Sequence, residues 1–348
     1  NCTGLTSLTF GDSLTSIGFG AFFGCSGLTS LTLPNSLTSI ADFAFANCSG
    51  LTEVTVAWQT PLVISSNVFD GLTLSGITLK VPEGEIATYE AAAVWQDFSP
   101  IEEDIVCFTI GDLQYCEIDS ANVRVTKTDA CPTGALTIPS LVTDTSTNIE
   151  YTVRSIEDNA FFECSSLTSV TFGDSLTSIG NGAFSGCNGL TSVTFGNSLT
   201  SIGNFAFESC IGLTSLTLPN SLTSIAGSAF RDCSSLTSID LPNSLTSIED
   251  NAFNGCSSLT SVTFGDSLTS IGQQVFQDCI GLTSLTLPNS LTSIGDYAFE
   301  NCSGLTEVTV AWQTPLVISS DVFLGLTLSG ITLKVPEGEI ATYEAAAV

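Results

Sequence analysis

Ten of the 13 cysteines keep one interval. Cys2, Cys25 and Cys48 are 23 residues apart, and so are Cys164, Cys187, Cys210, Cys233, Cys256, Cys279 and Cys302. Between them the chain repeats one phrase. It reads "CIGLTSLTLPNSLTSIAGSAFRDC" over 210–233 and "CIGLTSLTLPNSLTSIGDYAFENC" over 279–302. A unit this short cannot bury its apolar residues alone, so successive units must stack.

The spacing of the leucines, L-x-x-L-x-L at a period between 20 and 29 residues, predicts a leucine-rich repeat solenoid. Leu282, Leu285, Leu287, Leu291, Ile294 and Phe299 are expected to face inward. Alternation around Leu285 predicts a short strand. Pro288, or Gly196 in the equivalent place, ends it, because Pro lacks a ladder donor and Gly bends freely. A second extended piece, "SLTSI", lies on the opposite wall. Gly295 is expected to permit a tight turn, and Ala298 and Phe299 to plug the corner. Phe travels with Gly ("VTFG") and Leu with Pro ("LTLP"), which reads as local compensation of volume.

A second period is larger. Residues 51–94 recur at 305–348 with two changes, Asn67 to Asp321 and Asp70 to Leu324, at an offset of 254. The expected layout is a window on a longer tandem protein, in which Val348 is followed by Trp and then "QDFSPI". Residues 1–56 end one array and 57–103 close it with a short helix in "VPEGEIATYEAAAVWQDF". Residues 104–155 form a β-rich opening cap, 156–310 a second array and 311–348 a truncated closing cap. The fold class expected is mostly β: a right-handed solenoid in tandem arrays, with β caps and a short closing helix.

Composition narrows function by exclusion. Six Lys and Arg face 35 Asp and Glu, for a net charge of −29. A nucleic-acid binder needs a basic footprint, and an anionic membrane surface would repel this chain. No apolar run approaches the ~20 residues of a membrane span. There is no histidine, which removes the commonest general base and transition-metal ligand. Glu102, Glu103 and Asp104 are a carboxylate cluster, read as a solvated turn of the linker between arrays. No Cys-x-x-Cys spacing exists, so neither a metal nor a cofactor is expected.

The unit "LPxSLTSIGxxAFxxC" resembles the BspA-like leucine-rich repeat surface proteins. The residues that carry the likeness are Leu218-Pro219, Ser221 to Ile225, Ala229-Phe230 and Cys233, with the end-piece "LKVPEGEIATYEAAAVW" and the lead-in "FTIGDLQY…LTIPS…YTVRSI". The resemblance implies a secreted or cell-surface protein engaged in adhesion or matrix contact, and no catalytic residues. It leads to the reading of an extracellular adhesin whose concave faces bind glycan or protein many times over. The alternatives are a structural filament or stalk whose units contact each other, and an ice-binding surface.

The repeat places Ser169, Ser192, Ser215, Ser238, Ser261 and Ser284 outward on the expected concave sheet. Beside them run Thr171, Thr194, Thr217, Asp240, Thr263 and Thr286. Stacked about 4.8 Å apart, they would make a hydroxyl lattice. It is either a solvated face, a polar binding surface or an ice-binding rank. Ser13, Ser175 and Ser267 sit in Asp-Ser-Leu and Ser120 in Asp-Ser-Ala, which looks like a bacterial O-glycosylation motif.

Cys107 and Cys116 are off period. A two-residue loop at Gly111-Asp112 would set Ile110 opposite Leu113, and hence Cys107 opposite Cys116. Such non-hydrogen-bonded pairs bring Cα atoms to about 4.5 Å, near the lower edge of what a disulfide accepts. The expectation is a Cys107–Cys116 disulfide, with Cys131 and the ladder cysteines reduced. The competing outcome pairs Cys131 with Cys107 or Cys116.

Overall fold

The computed structural model describes residues 2–11, 13–119 and 121–345. The chain divides into two compact units, 1–106 and 107–348. It is a mostly β leucine-rich repeat solenoid in each.

In the second unit every rung contributes two short strands. The Ser-Ile pairs at Ser178–Ile179, Ser201–Ile202, Ser224–Ile225, Ser247–Ile248, Ser270–Ile271 and Ser293–Ile294 stack in parallel, each residue on its equivalent. Parallel neighbours need a crossover of about a dozen residues or more. Here the rest of the 23-residue rung supplies it without a helix. Leu282, Leu285, Leu287, Leu291, Ile294 and Phe299 are all buried.

The corner opposite the strands is held by alternating hydrogen bonds. In the last full rung the amides of Ala298, Glu300 and Cys302 close turns onto Gly295, Tyr297 and Phe299. The amides of Tyr297, Phe299 and Asn301 instead reach Asp321, Val322 and Leu324 of the next layer. Two residues in each such corner take positive φ, for example Tyr297 at 63° and Asn301 at 57°, or Gly182 at 59° and Gly186 at 74°. Gly295 is not one of them. A Cβ there would lie 2.6 Å from the backbone N of Gln273. Glycine at this position serves close approach between rungs rather than a turn, which corrects the sequence expectation.

Inside the corner, Phe161, Phe184, Phe207, Phe230, Phe253, Phe276, Phe299 and Phe323 form one stack. Neighbouring ring centroids are 4.9–5.5 Å apart and tilted by 2–15°. Burying each ring contributes about 1.5–3 kcal/mol, and each aromatic pair about 0.5–1.5 more.

The opening cap of this unit is a hairpin, Cys107–Ile110 with Leu113–Asp119, followed by Asn122–Lys127. Strand Ile149–Ile156 runs parallel to Asn122–Lys127 on one side and to Ser178–Ile179 on the other. The cap sheet therefore continues directly into the Ser-Ile ladder. Strand Gly134–Ile138 opens the other sheet by pairing with Leu167–Phe172.

The first unit ends in a four-stranded parallel sheet of Ser30–Leu33, Glu53–Val56, Thr78–Val81 and Ile101–Glu103. Two expectations change here. The helix covers only Ile86–Glu90, and the alanines after it form turns. Stopping the helix there lets Trp95 turn back into the core, where it is fully buried. Glu102 and Glu103 lie on a paired strand rather than in a solvated turn, and Glu103 accepts a hydrogen bond from the Gly84 amide at 2.9 Å.

Candidate functional site: the serine and threonine face

The strand that precedes the Ser-Ile pair in each rung carries the proposed surface. Its apolar residues, such as Val170, Leu216, Ile239, Val262 and Leu285, point into the core. Period-2 alternation then turns their neighbours outward. Ser192, Ser215, Ser238, Ser261 and Ser284 are exposed, and Ser169 is half-buried. Thr171, Thr194, Thr217, Asp240, Thr263 and Thr286 are all exposed. Strand register brings Ser169 beside Ser192, Thr171 beside Thr194, Ser238 beside Ser261, and Asp240 between Thr217 and Thr263. The row ends differently: Ser284 is beside Glu307, whose carboxylate meets Lys334 Nζ at 2.7 Å.

The threonines divide into two kinds that the sequence does not distinguish. Those opening each "TS" pair bond to the rung before. Thr191 Oγ1 donates to the Thr168 carbonyl at 3.0 Å, Thr237 to Thr214 at 3.1 Å and Thr260 to Thr237 at 2.9 Å. Thr200, Thr223, Thr269 and Thr292 do the same on the Ser-Ile side. The exposed face residues make no such bond among the described residues, so their hydroxyls are directed to solvent. A 23-residue spacing of hydroxyls is the signal, but only backbone geometry shows which ones it spends on the scaffold.

The face is not one continuous sheet. It consists of three-stranded pieces, 134–194, 216–263 and 284–334. Pairing stops between Ser192–Thr194 and Leu216–Thr217, and again between Ser261–Thr263 and Ser284–Leu287.

The serines of the Asp-Ser motifs differ from one another. Ser13 and Ser267 are exposed. Ser175 is half-buried and its Oγ lies 2.8 Å from the carbonyl oxygens of both Ser140 and Val153, which engages the hydroxyl internally. Ser120 lies outside the described residues.

Cys107 and Cys116 are register partners, with Cα atoms 4.1 Å apart and their sulfurs bonded. Cys131 is also bonded, to Cys164, across 5.3 Å between Cα atoms. This corrects the expectation that Cys131 and every ladder cysteine stay reduced. The reason lies in what ladder thiols do. Cys187 Sγ donates to the Phe161 carbonyl at 3.2 Å, Cys210 to Phe184 at 3.3 Å and Cys233 to Phe207 at 3.2 Å. Cys164 belongs to the first rung, with no earlier phenylalanine carbonyl below it, and Cys131 of the cap meets it instead. Burial pushes the thiols of Cys187, Cys233 and Cys302 up to about 12. Thiolate is the reactive form, so these groups are inert at neutral pH. Among the described residues no group of three or more His, Cys, Asp or Glu is placed to hold a metal ion, and no helix is long and apolar enough to cross a membrane.

The description "BspA type Leucine rich repeat region" matches residues 1–90, 142–239 and 224–343, in six copies. The chain belongs to this BspA-type family. A leucine-rich repeat protein of T. pallidum is similar in crystal structure: 28% identical, with a TM-score of 0.51, covering 57% of this chain and 90% of that one. One from Bacteroides ovatus ATCC 8483 is 25% identical, with a TM-score of 0.50, covering 66% of this chain and 76% of that one. No curated protein matches. In this BspA-type chain the phenylalanine stack, the cysteine ladder and the bonded threonines all serve stacking. The serine and threonine rows at Ser192–Thr194, Ser238–Asp240 and Ser261–Thr263 are exposed beside them.

Proposed function

We propose that the chain is an extracellular surface protein and acts as a multivalent adhesin toward glycan or protein. The observation that carries this reading is the set of exposed hydroxyls with no internal partner, held in register on parallel strands. A stiff array of weak, equivalent sites gains avidity by raising effective concentration, with no single tight site. Family membership supports a binding role over a catalytic one. The O-glycan proposal keeps Ser13 and Ser267, whose exposed hydroxyls suit it better than that of Ser175. Ice binding is disfavoured, because Asp240 and the two breaks in pairing interrupt any flat repeat.

Arrays of glycans and matrix proteins probed with the full chain test the adhesin. Retention is expected for the native chain and loss for Ser192→Glu/Thr194→Glu/Ser261→Glu/Thr263→Glu. These positions are exposed, so the variant should keep its circular dichroism. Equal retention of both proteins, or of neither, refutes the assignment of this face.

A further inference from the structure

Basic residues are scarce in this chain, and half of them stand in one place. Of the six Lys and Arg, Arg124, Lys127 and Arg154 lie on strands Asn122–Lys127 and Ile149–Ile156 of the opening cap. Two of these are engaged there. Arg124 Nε lies 3.4 Å from a Glu157 carboxylate oxygen, and Arg154 Nε donates to Asn122 Oδ1 at 2.9 Å. Outside the cap, Lys80 meets Glu53, Arg231 meets Glu208, and Lys334 meets Glu307. Among the described residues, Lys127 is the basic side chain with neither an ion pair nor a hydrogen bond. It is half-buried and lines an open cleft of about 570 Å³.

Strand register supplies one wall of that cleft. Thr109 is opposite Gln114, and Gln114 is opposite Thr126. Residues directly opposite on antiparallel strands share a face. Their buried neighbours Tyr115 and Val125 point the other way, into the core. The wall therefore presents two hydroxyls and an amide, and no side-chain hydrogen bond among the described residues engages them. The other wall is the corner of the first rung, at Asn159 and Ala160. Later rungs meet this corner from one side, as the Phe161 and Glu163 amides reach the Ala183 and Ser185 carbonyls. No earlier rung of this unit covers the other side, and Asn159 stands exposed.

We propose that the cap cleft is a binding site for an acidic sugar, a hexuronic acid residue of a glycan. The Lys127 ammonium takes the sugar carboxylate. Gln114 and Asn159 donate to and accept from the ring hydroxyls, and Thr109 and Thr126 complete the set. A saccharide presents hydroxyls on several sides, and each needs a donor or an acceptor, which amides and hydroxyls supply. A peptide would draw its specificity from pockets for its side chains, and this lining is polar but for the buried Ala160. A net charge of −29 repels a polyanion, so the fit is to one carboxylate on an otherwise neutral ring. The cleft shares a ligand class with the adhesin reading but none of its residues, so either can fail alone.

The test titrates methyl β-D-glucuronide into the isotope-labelled full chain and follows amide shifts. Saturable shifts at Gln114, Thr126, Lys127 and Asn159, with a millimolar Kd, are expected. Methyl β-D-glucoside, which lacks the carboxylate, should bind about tenfold more weakly or worse. Lys127→Gln should weaken glucuronide binding by a similar factor while the unfolding midpoint holds. Asp129, exposed on the rim and not ion-paired with Lys127, carries a like charge to the ligand; Asp129→Asn should tighten binding. The Ser192→Glu/Thr194→Glu/Ser261→Glu/Thr263→Glu variant should bind the glucuronide as the native chain does. The proposal is overturned by absence of shifts at these amides at millimolar glucuronide, or by equal binding of the glucoside. Sodium acetate binding as tightly would reduce the cleft to a bare anion site. Tighter binding of acetyl-Asp-Asp-amide would give it to an acidic peptide. Either result overturns the sugar assignment.

Discussion

Phe195 and Leu218 stand at equivalent places 23 residues apart, and strand pairing stops between them. The same break separates Phe264 from Leu287. Each is a Phe-Gly rung followed by a Leu-Pro rung; the other orders keep their ladder. The cause is backbone height. A Cβ on Gly196 would lie 2.2 Å from the Gly173 carbonyl oxygen, and one on Gly265 would lie 2.5 Å from that of Pro242. Phe-Gly rungs therefore settle onto the rung before, where a side chain could not go. A following Phe-Gly rung settles with them. A following Leu-Pro rung does not pair with it; at these breaks Phe195 is half-buried and Phe264 is buried.

Moving the residues should move the break. Leu218→Phe with Pro219→Gly is expected to let 216–217 pair with 192–194 and to open the ladder one rung later. Amide exchange should slow at Leu216 and Thr217 and quicken at Ile239 and Asp240. Unchanged protection at all four would mean that the Phe-Gly pair does not set rung height.

The corner offers a separate handle on stability. Ser209 holds φ at 57° where Gly186 and Gly255 hold 74° and 73°. A left-handed conformation costs a residue with a Cβ about 1–2 kcal/mol, and glycine pays part of that back in unfolded-chain entropy. Ser209→Gly should therefore gain about 0.5–1 kcal/mol, and Gly186→Ala should lose about 1–2 kcal/mol. Denaturant midpoints of the two variants should shift in opposite directions, and shifts of the same sign would contradict the account.

The ladder thiols make a pH prediction. Their folded pKa values, about 12 for Cys187, Cys233 and Cys302, lie above the ~8.5 of a free thiol. A raised folded value means the unfolded chain loses its protons first. The stability contribution is complete below about pH 8.5 and is lost as pH climbs toward 12. Cys2 is the one exposed free thiol among the described residues. A thiol reagent at pH 8 should label about one cysteine in the native chain and the buried ones only after unfolding. Rapid native labelling of Cys210 or Cys256 would show that the ladder is not sealed.

Much of this was legible from the period. The 23-residue spacing fixes parallel stacking, because equivalent residues must meet equivalent residues, and the turn "IGDL" sets Cys107 opposite Cys116. What eluded the sequence depends on neighbours rather than on the repeat itself. Cys164 looks like every other ladder cysteine, yet it differs because no rung lies below it. Gly295 looks like a turn residue until the adjacent backbone at Gln273 is seen 2.6 Å from its Cβ position. The alanines at 91–93 favour helix locally, but burial of Trp95 overrides them. On the hydroxyl face, the rows of Ser and Thr are plain in the sequence, and the breaks that divide them are not.

Thr194 and Thr200 test that division of labour between face and scaffold. Both are exposed threonines of one rung. Thr200 Oγ1 donates to the Thr177 carbonyl at 3.0 Å, while Thr194 Oγ1 has no such partner. Replacing a hydroxyl by a methyl keeps shape and β-branching, so each Thr→Val change isolates one oxygen. Thr200→Val removes a hydrogen bond worth about 0.5–1.5 kcal/mol, and it should lower the unfolding midpoint without touching the proposed binding face. Thr194→Val should leave stability within about 0.5 kcal/mol, and reduce retention on whichever glycan or matrix protein the native chain binds. Measuring both properties on both variants gives a crossed result if the assignment holds. A stability loss at Thr194 with none at Thr200 would reverse the roles given to the two rows.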